Sequence, residues 1–401
     1  MKLHPLINKQ PLKLLLSLAI IVGTGVLMSH CNITSNNDEN VESVRNDFGG
    51  KDLKSETIIT GLNMPWAMAF LPDGNVLVTE RGGKLRLIKG GILDPQEIEG
   101  IPKVYYRGQG GLLDVVLHPN YKENGWIYIS YSSPKKEGEI GDDNGANTAL
   151  MRAKLDIANH KLTNIEHLYK AMPNVKANVH FGGRIVFDKK GYLFLSLGER
   201  GQMQNAQNLG KAQGKIVRLH EDGKIPTDNP FVADKNALPE IWSYGHRNPQ
   251  GLVIHPTTGV IWEHEHGPQG GDELNIVEKG KNYGWPLITY GIGYDNSIIS
   301  DKTEAPGLEQ PVIYWKPSIA PCGMTFVTSA KFKEWNGDLI VGSLKFMNLE
   351  HLTIKGNKVV KKEVIFDKIG RVRDIKQGPD GNLYVVVEST GSIVKISPKA
   401  S

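Results

Sequence analysis

WAMAFLPDGNVLVTE, residues Trp66 to Glu80, reads as two short apolar strands joined at Pro72-Asp73-Gly74. Proline restricts φ at the turn and glycine accepts φ > 0, so the segment asks for a tight hairpin. The same unit returns at Gly111 to Tyr131 around His118-Pro119, Gly183 to Glu199 around Asp188 to Gly191, and Leu252 to His264 around His255 to Gly259. Two more copies are Gly323 to Lys345 around Trp335-Asn336-Gly337 and Val372 to Glu388 around Pro379-Asp380-Gly381. Glycine is abundant, at 45 residues, and helix-length periodic stretches are scarce, so the hairpin governs the architecture. Six hairpins predict an all-β, six-bladed β-propeller over residues 57–398, with roughly 60 residues per blade. A β-sandwich is the structural rival, but it does not call for such uniform hairpins over so long a chain. Ring closure is expected to pair a strand near Thr57–Thr60 with the last strand near Ile393–Ile396.

Upstream of the repeats, Lys2, Lys9 and Lys13 precede an uncharged apolar run from Leu14 to Met28, which is the pattern of an export signal over residues 1–30. The run is short for a bilayer span and ends at Cys31, as bacterial lipoprotein signals do. His30 departs from the small residue usual before such a cysteine, so a lipid anchor, simple secretion and an uncleaved anchor all stay open. Residues 31–56 are rich in Asn, Ser and acid and read as a flexible tether. The expected location is exported: periplasmic, or held as a lipoprotein on the outer side of the inner membrane or on the outer membrane. With Cys31 lipidated or removed, Cys322 stands alone and no intrachain disulfide forms. The net charge is +4 and the basic residues are dispersed, which gives no support to a nucleic-acid or acidic-membrane partner.

Each hairpin brings the start of its first strand and the exit of its second to the same end of a blade. Gln109, His180, Arg247 with Asn248, and Arg371 with Arg373 stand at the starts; Glu80, Glu199, His264 to His266 and Lys345 stand at the exits. If first strands line the axis, these residues ring one mouth of the propeller. Arg247, Lys345, Arg371 and Arg373 would converge there with few opposing acids, and such a ring favours an anionic ligand, a polycarboxylate or a phosphate. His180 suits a general base near neutral pH, with Glu199 as an orienting acid. A lone histidine is more often a satisfied residue than a base, but polar groups at equivalent ends of five repeats outweigh that reading. Trp66, Trp242, Trp262, Trp285 and Trp315 are expected in the inter-blade core, with Trp315 near the mouth.

Longer motifs now stand out: Gly108-Gln109-Gly110-Gly111-Leu112-Leu113-Asp114, His180-Phe181-Gly182-Gly183-Arg184, Gly245-His246-Arg247-Asn248-Pro249-Gln250-Gly251, Glu265-His266-Gly267-Pro268 and Gly271-Asp272-Glu273-Leu274-Asn275. With Asn282-Tyr283-Gly284-Trp285-Pro286 and Arg371-Val372-Arg373-Asp374, they resemble the soluble glucose and sorbosone dehydrogenases that depend on pyrroloquinoline quinone (PQQ). Within that family the chain looks closest to the periplasmic aldose sugar dehydrogenases. The resemblance runs in order from about Thr57 to Pro398. It implies that His180 takes the proton of the sugar's anomeric hydroxyl while hydride passes to the quinone, and that Arg247 stabilises the charge developing on the quinone carbonyl. Asn248, Lys345, Arg371, Arg373 and Ser318 resemble cofactor-holding residues, and Gln109 sits where the family meets substrate and base. The carbonyls of Gly267 and Pro268 resemble ligands of the calcium that grips the quinone, and Glu273 with Tyr283 resembles a second calcium site. Three carboxylates on PQQ would answer the cationic ring.

Glucose dehydrogenases of the family carry an acid before the histidine, where this chain has Val179, so Glu199 is expected to orient the imidazole alone. Lys316 follows Trp315 where an aromatic would stack, and Asn296 to Thr303 reads as a loop. Aldoses as a class are the expected substrates, because one fixed hydroxyl contact at an exposed mouth discriminates weakly. Electrons would leave to an external acceptor, from a monomer or homodimer. A metal-dependent lactonase or esterase on another propeller is the rival enzyme, disfavoured by the cationic ring. A non-enzymatic binding module is the rival of another class, disfavoured by the retention of His180 together with all four cations.

Overall fold

Three of the turns close in the same way. At Pro72-Asp73-Gly74 the N–H of Leu71 donates to the carbonyl of Asn75 (2.8 Å) and Asp73 Oδ1 accepts from the N–H of Asn75 (3.0 Å), with Gly74 at φ 87°. Asp380 accepts from the N–H of Asn382 beside Gly381 at φ 77°, and Asp188 accepts from the N–H of Lys190 beside Gly191 at φ 84°. The aspartate side chain closes the turn and glycine supplies the left-handed residue.

The computed structural model describes residues 52–399, all belonging to the unit Ser43–Ser401. The export segment, Cys31 and the tether up to Lys51 lie outside the described residues. Six four-stranded antiparallel sheets account for nearly all the regular structure. Blade 1 holds Pro65–Phe70, Val76–Glu80, Lys84–Lys89 and Ile92–Leu93; blade 2 holds Leu112–Leu117, Trp126–Pro134, Ala146–Asp156 and Lys161–Lys170. Blade 3 holds Ile185–Phe187, Leu193–Leu197, Lys215–Leu219 and Ile241–Tyr244; blade 4 holds Pro249–Ile254, Ile261–Glu265, Asp272–Val277 and Ile313–Trp315. Blade 5 holds Pro321–Phe326, Leu339–Ser343, Leu349–Lys355 and Lys358–Phe366, and blade 6 holds Val372–Gln377, Leu383–Val387, Ser392–Pro398 and Leu53–Ile59. Each of the six sequence hairpins forms the first two strands of one blade. The six-bladed propeller is therefore as expected. Among the described residues the only α-helix is Tyr121–Asn124, and no helix is long and apolar enough to cross a membrane.

Buried apolar residues fall into six clusters, one at each seam between neighbouring blades. Trp66, Leu77 and Leu85 meet Leu112 and Ile127 between blades 1 and 2, for example, and Trp262 and Trp315 meet Met324 and Leu339 between blades 4 and 5. The remaining clusters fill the other four seams. First strands of adjacent blades touch one another, which puts them innermost, and all six meet around the buried side chain of Arg184. Trp315 is core rather than mouth: it is 2% exposed and its indole N–H donates to Glu350 (2.8 Å).

Closure follows the expected pairing, with Thr57 opposite Val394 and Ile59 opposite Ile393. One boundary moves. The closing strand begins at Leu53, opposite Pro398, so Leu53 to Glu56 belong to the propeller and not to the tether. Its alternation of polar and apolar residues is that of an outer strand with one face in water, which composition alone reads as linker. Leu53 and Ile59 are 7% and 5% exposed. A chain starting at Gly61 should lose about 3–6 kcal/mol of stability, the burial of these two side chains, as a lower midpoint in urea unfolding. An unchanged midpoint would show that closure does not depend on this strand.

Candidate functional site

One mouth of the axis opens into a cavity of about 380 Å³ whose wall contains Gln109, Asn248, Lys345, Arg371 and Arg373, all expected there. Arg81, Gln250, His266 and Glu388 complete its polar lining, and Trp66 serves both this wall and the seam beneath it. Arg81 and Glu388 lie at the ends of hairpins that sequence reading located, but their convergence needed the closed ring. Four cationic side chains thus face one carboxylate. That one carboxylate, Glu388, serves two of the arginines: its Oε2 accepts from Arg373 Nε (2.6 Å) and its Oε1 lies 3.5 Å from Arg371 Nε. Burial pushes the Glu388 carboxyl up, but Arg373 more than offsets it and the net shift is downward. His266 donates or accepts at Pro321 through Nε2, and since Pro321 offers only a carbonyl, Nε2 carries the proton (2.8 Å). Burial holds this imidazole well below its usual pKa, and therefore neutral.

Arg247 does not line that cavity. It is 5% exposed and its Nη1 donates to the carbonyls of His266 (2.9 Å) and Gly267 (2.7 Å), in a smaller adjoining pocket shared with Glu265, Glu273 and Tyr283. Glu265 Oε2 accepts from the backbone N–H groups of both Arg247 and Asn248 and so fixes where the two side chains start. Burial, followed by the nearby Glu265 charge, pushes the Glu273 carboxyl up to about 8. The Tyr283 hydroxyl is engaged elsewhere, donating to the Ile276 carbonyl and accepting from the Glu278 N–H, and its own N–H donates to the Tyr244 carbonyl (2.8 Å). Pro268 lines neither pocket. Ser318 is also outside the cavity wall: its hydroxyl donates to Asp272 (2.7 Å), which also accepts the N–H groups of Gly267, Ile319 and Ala320. That hydroxyl is tied through Asp272 to the Gly267–Asp272 loop. Glu80 is likewise committed, to the Asn63 N–H and to Arg86.

His180 stands beside the cavity at a left-handed φ of 55°, with its N–H donating to Gln109 Oε1 (2.8 Å). Its Nδ1 is 2.7 Å from Glu199 Oε1, and Glu199 is 1% exposed. An ionised carboxylate can only accept, so Nδ1 carries the proton and Nε2 keeps its lone pair. Burial lowers the His180 pKa; Glu199 opposes that shift and Arg247 adds to it. Val179 contributes its carbonyl where an acidic side chain was absent. That carbonyl accepts from Arg200, a residue sequence reading passed over because its partners are main-chain atoms of a distant loop. The Arg200 guanidinium is buried, also donates to the Ala177 carbonyl (2.6 Å) and lies 3.4 Å from the Phe181 ring centre. Burial pulls its pKa down to about 9, which still leaves it cationic at neutral pH. Arg200→Met would strand those carbonyls, at about 1–3 kcal/mol each. The expected result is a lower urea midpoint together with faster hydrogen exchange across Lys176–Phe181; exchange unchanged there would remove Arg200 as the brace of the histidine loop.

The family model for Glucose / Sorbosone dehydrogenase matches residues 62–395. Aldose sugar dehydrogenase YliI of Escherichia coli (strain K12) is 47% identical over 349 residues, which cover 86% of this chain and 92% of that protein. The crystal structure of the soluble aldose sugar dehydrogenase from Escherichia coli in its apo-form superposes with a TM-score of 0.81 at 44% identity, covering 86% of this chain and all of that one. The PQQ-bound aldose sugar dehydrogenase of Streptomyces coelicolor superposes with a TM-score of 0.71 at 25% identity, covering 88% and 100%. Propeller, ordered motifs and these matches agree: the chain belongs to the glucose / sorbosone dehydrogenase family.

Proposed function

We propose that this protein oxidises aldose sugars at the anomeric carbon to lactones, with PQQ as its bound oxidant, calcium beside the quinone, and an external acceptor taking the electrons away. The observation that carries the reading is the His180–Glu199 pair set against a cavity with four cationic groups and one carboxylate. The residues fit the cofactor. The excess of positive charge in the wall suits a tricarboxylate, and Arg371, Arg373, Lys345 and Asn248 would hold it. They also fit calcium: the carbonyls of His266 and Gly267 already converge on one cationic group, the Arg247 guanidinium, so this loop presents oxygen atoms to positive charge. Gly267 and Pro268 would serve the quinone's calcium, and Glu273 with the Tyr283 main chain a second ion.

PQQ, when bound, supplies a carbonyl that accepts hydride, and calcium polarises it. The protein's part is to place the sugar and move one proton. Gln109 holds the His180 backbone and offers its side chain at the cavity edge. His180 Nε2 takes the anomeric hydroxyl proton as the C1 hydride departs, and the C1–O bond becomes the lactone carbonyl. Glu199 then stabilises the imidazolium through Nδ1. Arg247, linked through its backbone to Glu265, would turn its guanidinium toward developing negative charge. Export follows from the signal-like residues 1–30, and a lipid on Cys31 would anchor the enzyme outside the inner membrane.

Purified protein loaded with PQQ and calcium should reduce an artificial acceptor dye with several aldoses. His180→Ala should lower kcat by roughly 10²–10⁴-fold while PQQ absorbance stays with the protein. Arg373→Ala should chiefly weaken PQQ binding. The active base is the neutral imidazole, so the rate rises as pH climbs through a pKa below the ordinary histidine value. Glu199→Gln removes the group that raises that pKa and should shift the acid limb to still lower pH while reducing kcat. No dye reduction with any sugar, or full activity of the alanine variant at His180, would defeat the assignment.

A further inference from the structure

We infer that a divalent transition-metal ion binds a buried donor set formed by His246, Glu263 and Glu265, behind the backbone that carries Arg247 and Asn248. One ligand atom from each of the three residues lies within 4.8 Å of the others, and all three side chains are buried, at 0%, 0% and 4% exposure. Two of the donor atoms have no hydrogen-bond partner: His246 Nδ1 and Glu263 Oε1. Buried polar atoms are rarely left unpaired, and a carboxylate oxygen costs more than a neutral group when it is. Glu265 Oε1 faces His246 Nδ1 at 3.6 Å, too far for a hydrogen bond but suited to two ligands of one ion.

The surroundings aim these atoms. His246 Nε2 is 2.8 Å from the Ser243 hydroxyl, and the imidazole stacks on Tyr283 with ring centres 4.6 Å apart. With Nε2–H donating to Ser243, Nδ1 presents its lone pair, the arrangement of a metal-binding histidine. Glu263 Oε2 accepts from Asn275 Nδ2 (3.2 Å), which leaves Oε1 free, and the Asn275 amide oxygen opposite it on the neighbouring strand is also unpartnered. Among the described residues neither carboxylate has a lysine or arginine side chain in ion-pair contact. A divalent ion would balance the two carboxylates and occupy the free atoms together. The imidazole nitrogen in the set favours a transition metal over calcium, whose ligands are oxygen.

This set adjoins Glu273 and Tyr283 but uses other donor atoms: Glu273 pairs across the sheet with Glu265, Asn275 Nδ2 also reaches Glu273 Oε2 (3.4 Å), and the His246 ring stacks on Tyr283. Its consequence would be positional. Glu265 grips the ion with one oxygen and the N–H groups of Arg247 and Asn248 with the other, so the ion would stiffen the segment from which both side chains project.

The test uses Mn²⁺ as probe on the exported chain after dialysis against a chelator, with metal analysis and pulsed electron paramagnetic resonance. Wild type should bind an Mn²⁺ ion that shows ¹⁴N coupling, which an all-oxygen site cannot give. Glu263→Gln, which keeps the side-chain shape, should weaken that ion at least 100-fold, and Glu273→Gln should keep it. His246→Gln should remove the nitrogen signal even if some Mn²⁺ remains. Thermal midpoints in chelator report whether each variant folds, and a variant that does not fold leaves the other to decide. Absence of nitrogen-coupled Mn²⁺ in wild type, or its persistence in folded Glu263→Gln, overturns the site and assigns the cluster a shared proton instead.

Discussion

The propeller is organised around one buried cation, Arg184, immediately before the inner strand of blade 3. Its Nη1 is 3.0 Å from Asp374 of blade 6 and 3.6 Å from Asp114 of blade 2; its Nε donates to the Gln250 carbonyl of blade 4 at 2.9 Å. Nη2 donates to the Arg373 carbonyl at 2.6 Å and lies 3.8 Å from Cys322 Sγ of blade 5, while the guanidinium sits 4.1 Å from the ring centre of Trp66 in blade 1. One side chain from blade 3 therefore touches the inner strands of the other five blades. A charge in such a place is expensive unless its donors are matched, and here two carboxylates, two carbonyls and an aromatic face match them. The seams supply the bulk of the stability through apolar burial, but apolar contacts have no direction. Directional contacts from Arg184 to the other five inner strands tie the blades together at the axis, and three of its partners, Trp66, Gln250 and Arg373, also line the cavity.

The same reasoning explains why the cavity cations do not simply repel one another. Glu388 is shared between Arg371 and Arg373, and Lys345 and Arg81 stand on other blades. Glu388 does not neutralise the wall. It orients Arg373, whose Nη1 also reaches Gln250 (3.4 Å), and leaves the remaining positive charge directed at whatever enters. Preorganised charge of this kind costs stability in the folded protein and returns it when an anion binds.

How much of this the sequence announces depends on the range of the interaction. The hairpin turns, two of them Pro-Asp-Gly, are legible because their hydrogen bonds stay within a few residues, and the six hairpins together fix the blade count. His180 with Glu199 is legible because both ends of one hairpin meet at one mouth. The closing strand was misjudged by four residues because Leu53–Ile59 has one wet face and pairs with a partner at the far end of the chain. The bond of Ser318 to Asp272 and the role of Arg200 escape for a similar reason. A hydroxyl 46 residues from its carboxylate, or a guanidinium serving main-chain carbonyls, has no local pattern to betray it.

The residues of the axis reach it by a shared device. The inner hairpins of five blades have a register shift at the same place, between Pro65 and Ala67, Leu112 and Val115, Pro249 and Gly251, Pro321 and Met324, and Val372 and Asp374. A β-bulge releases a strand from strict alternation and re-aims the extra residue. The residues bracketed by these shifts are Trp66, Leu113 with Asp114, Gln250, Cys322 with Gly323, and Arg373; every blade's set meets Arg184 or the cavity wall. In blade 6 the shift lets two consecutive side chains be buried near the axis, so that Arg373 joins the wall while Asp374 binds Arg184 below. Blade 3 has no such shift in its inner pair and instead bends at Gly182 and Gly183, at φ 63° and 105°, just after His180. Side chains at Gly182 would collide with the Ser196 carbonyl and at Gly183 with Leu113, so the bend depends on glycine. The blade that supplies the central arginine is thus also the one whose backbone turns sharply enough to lift a histidine beside the cavity.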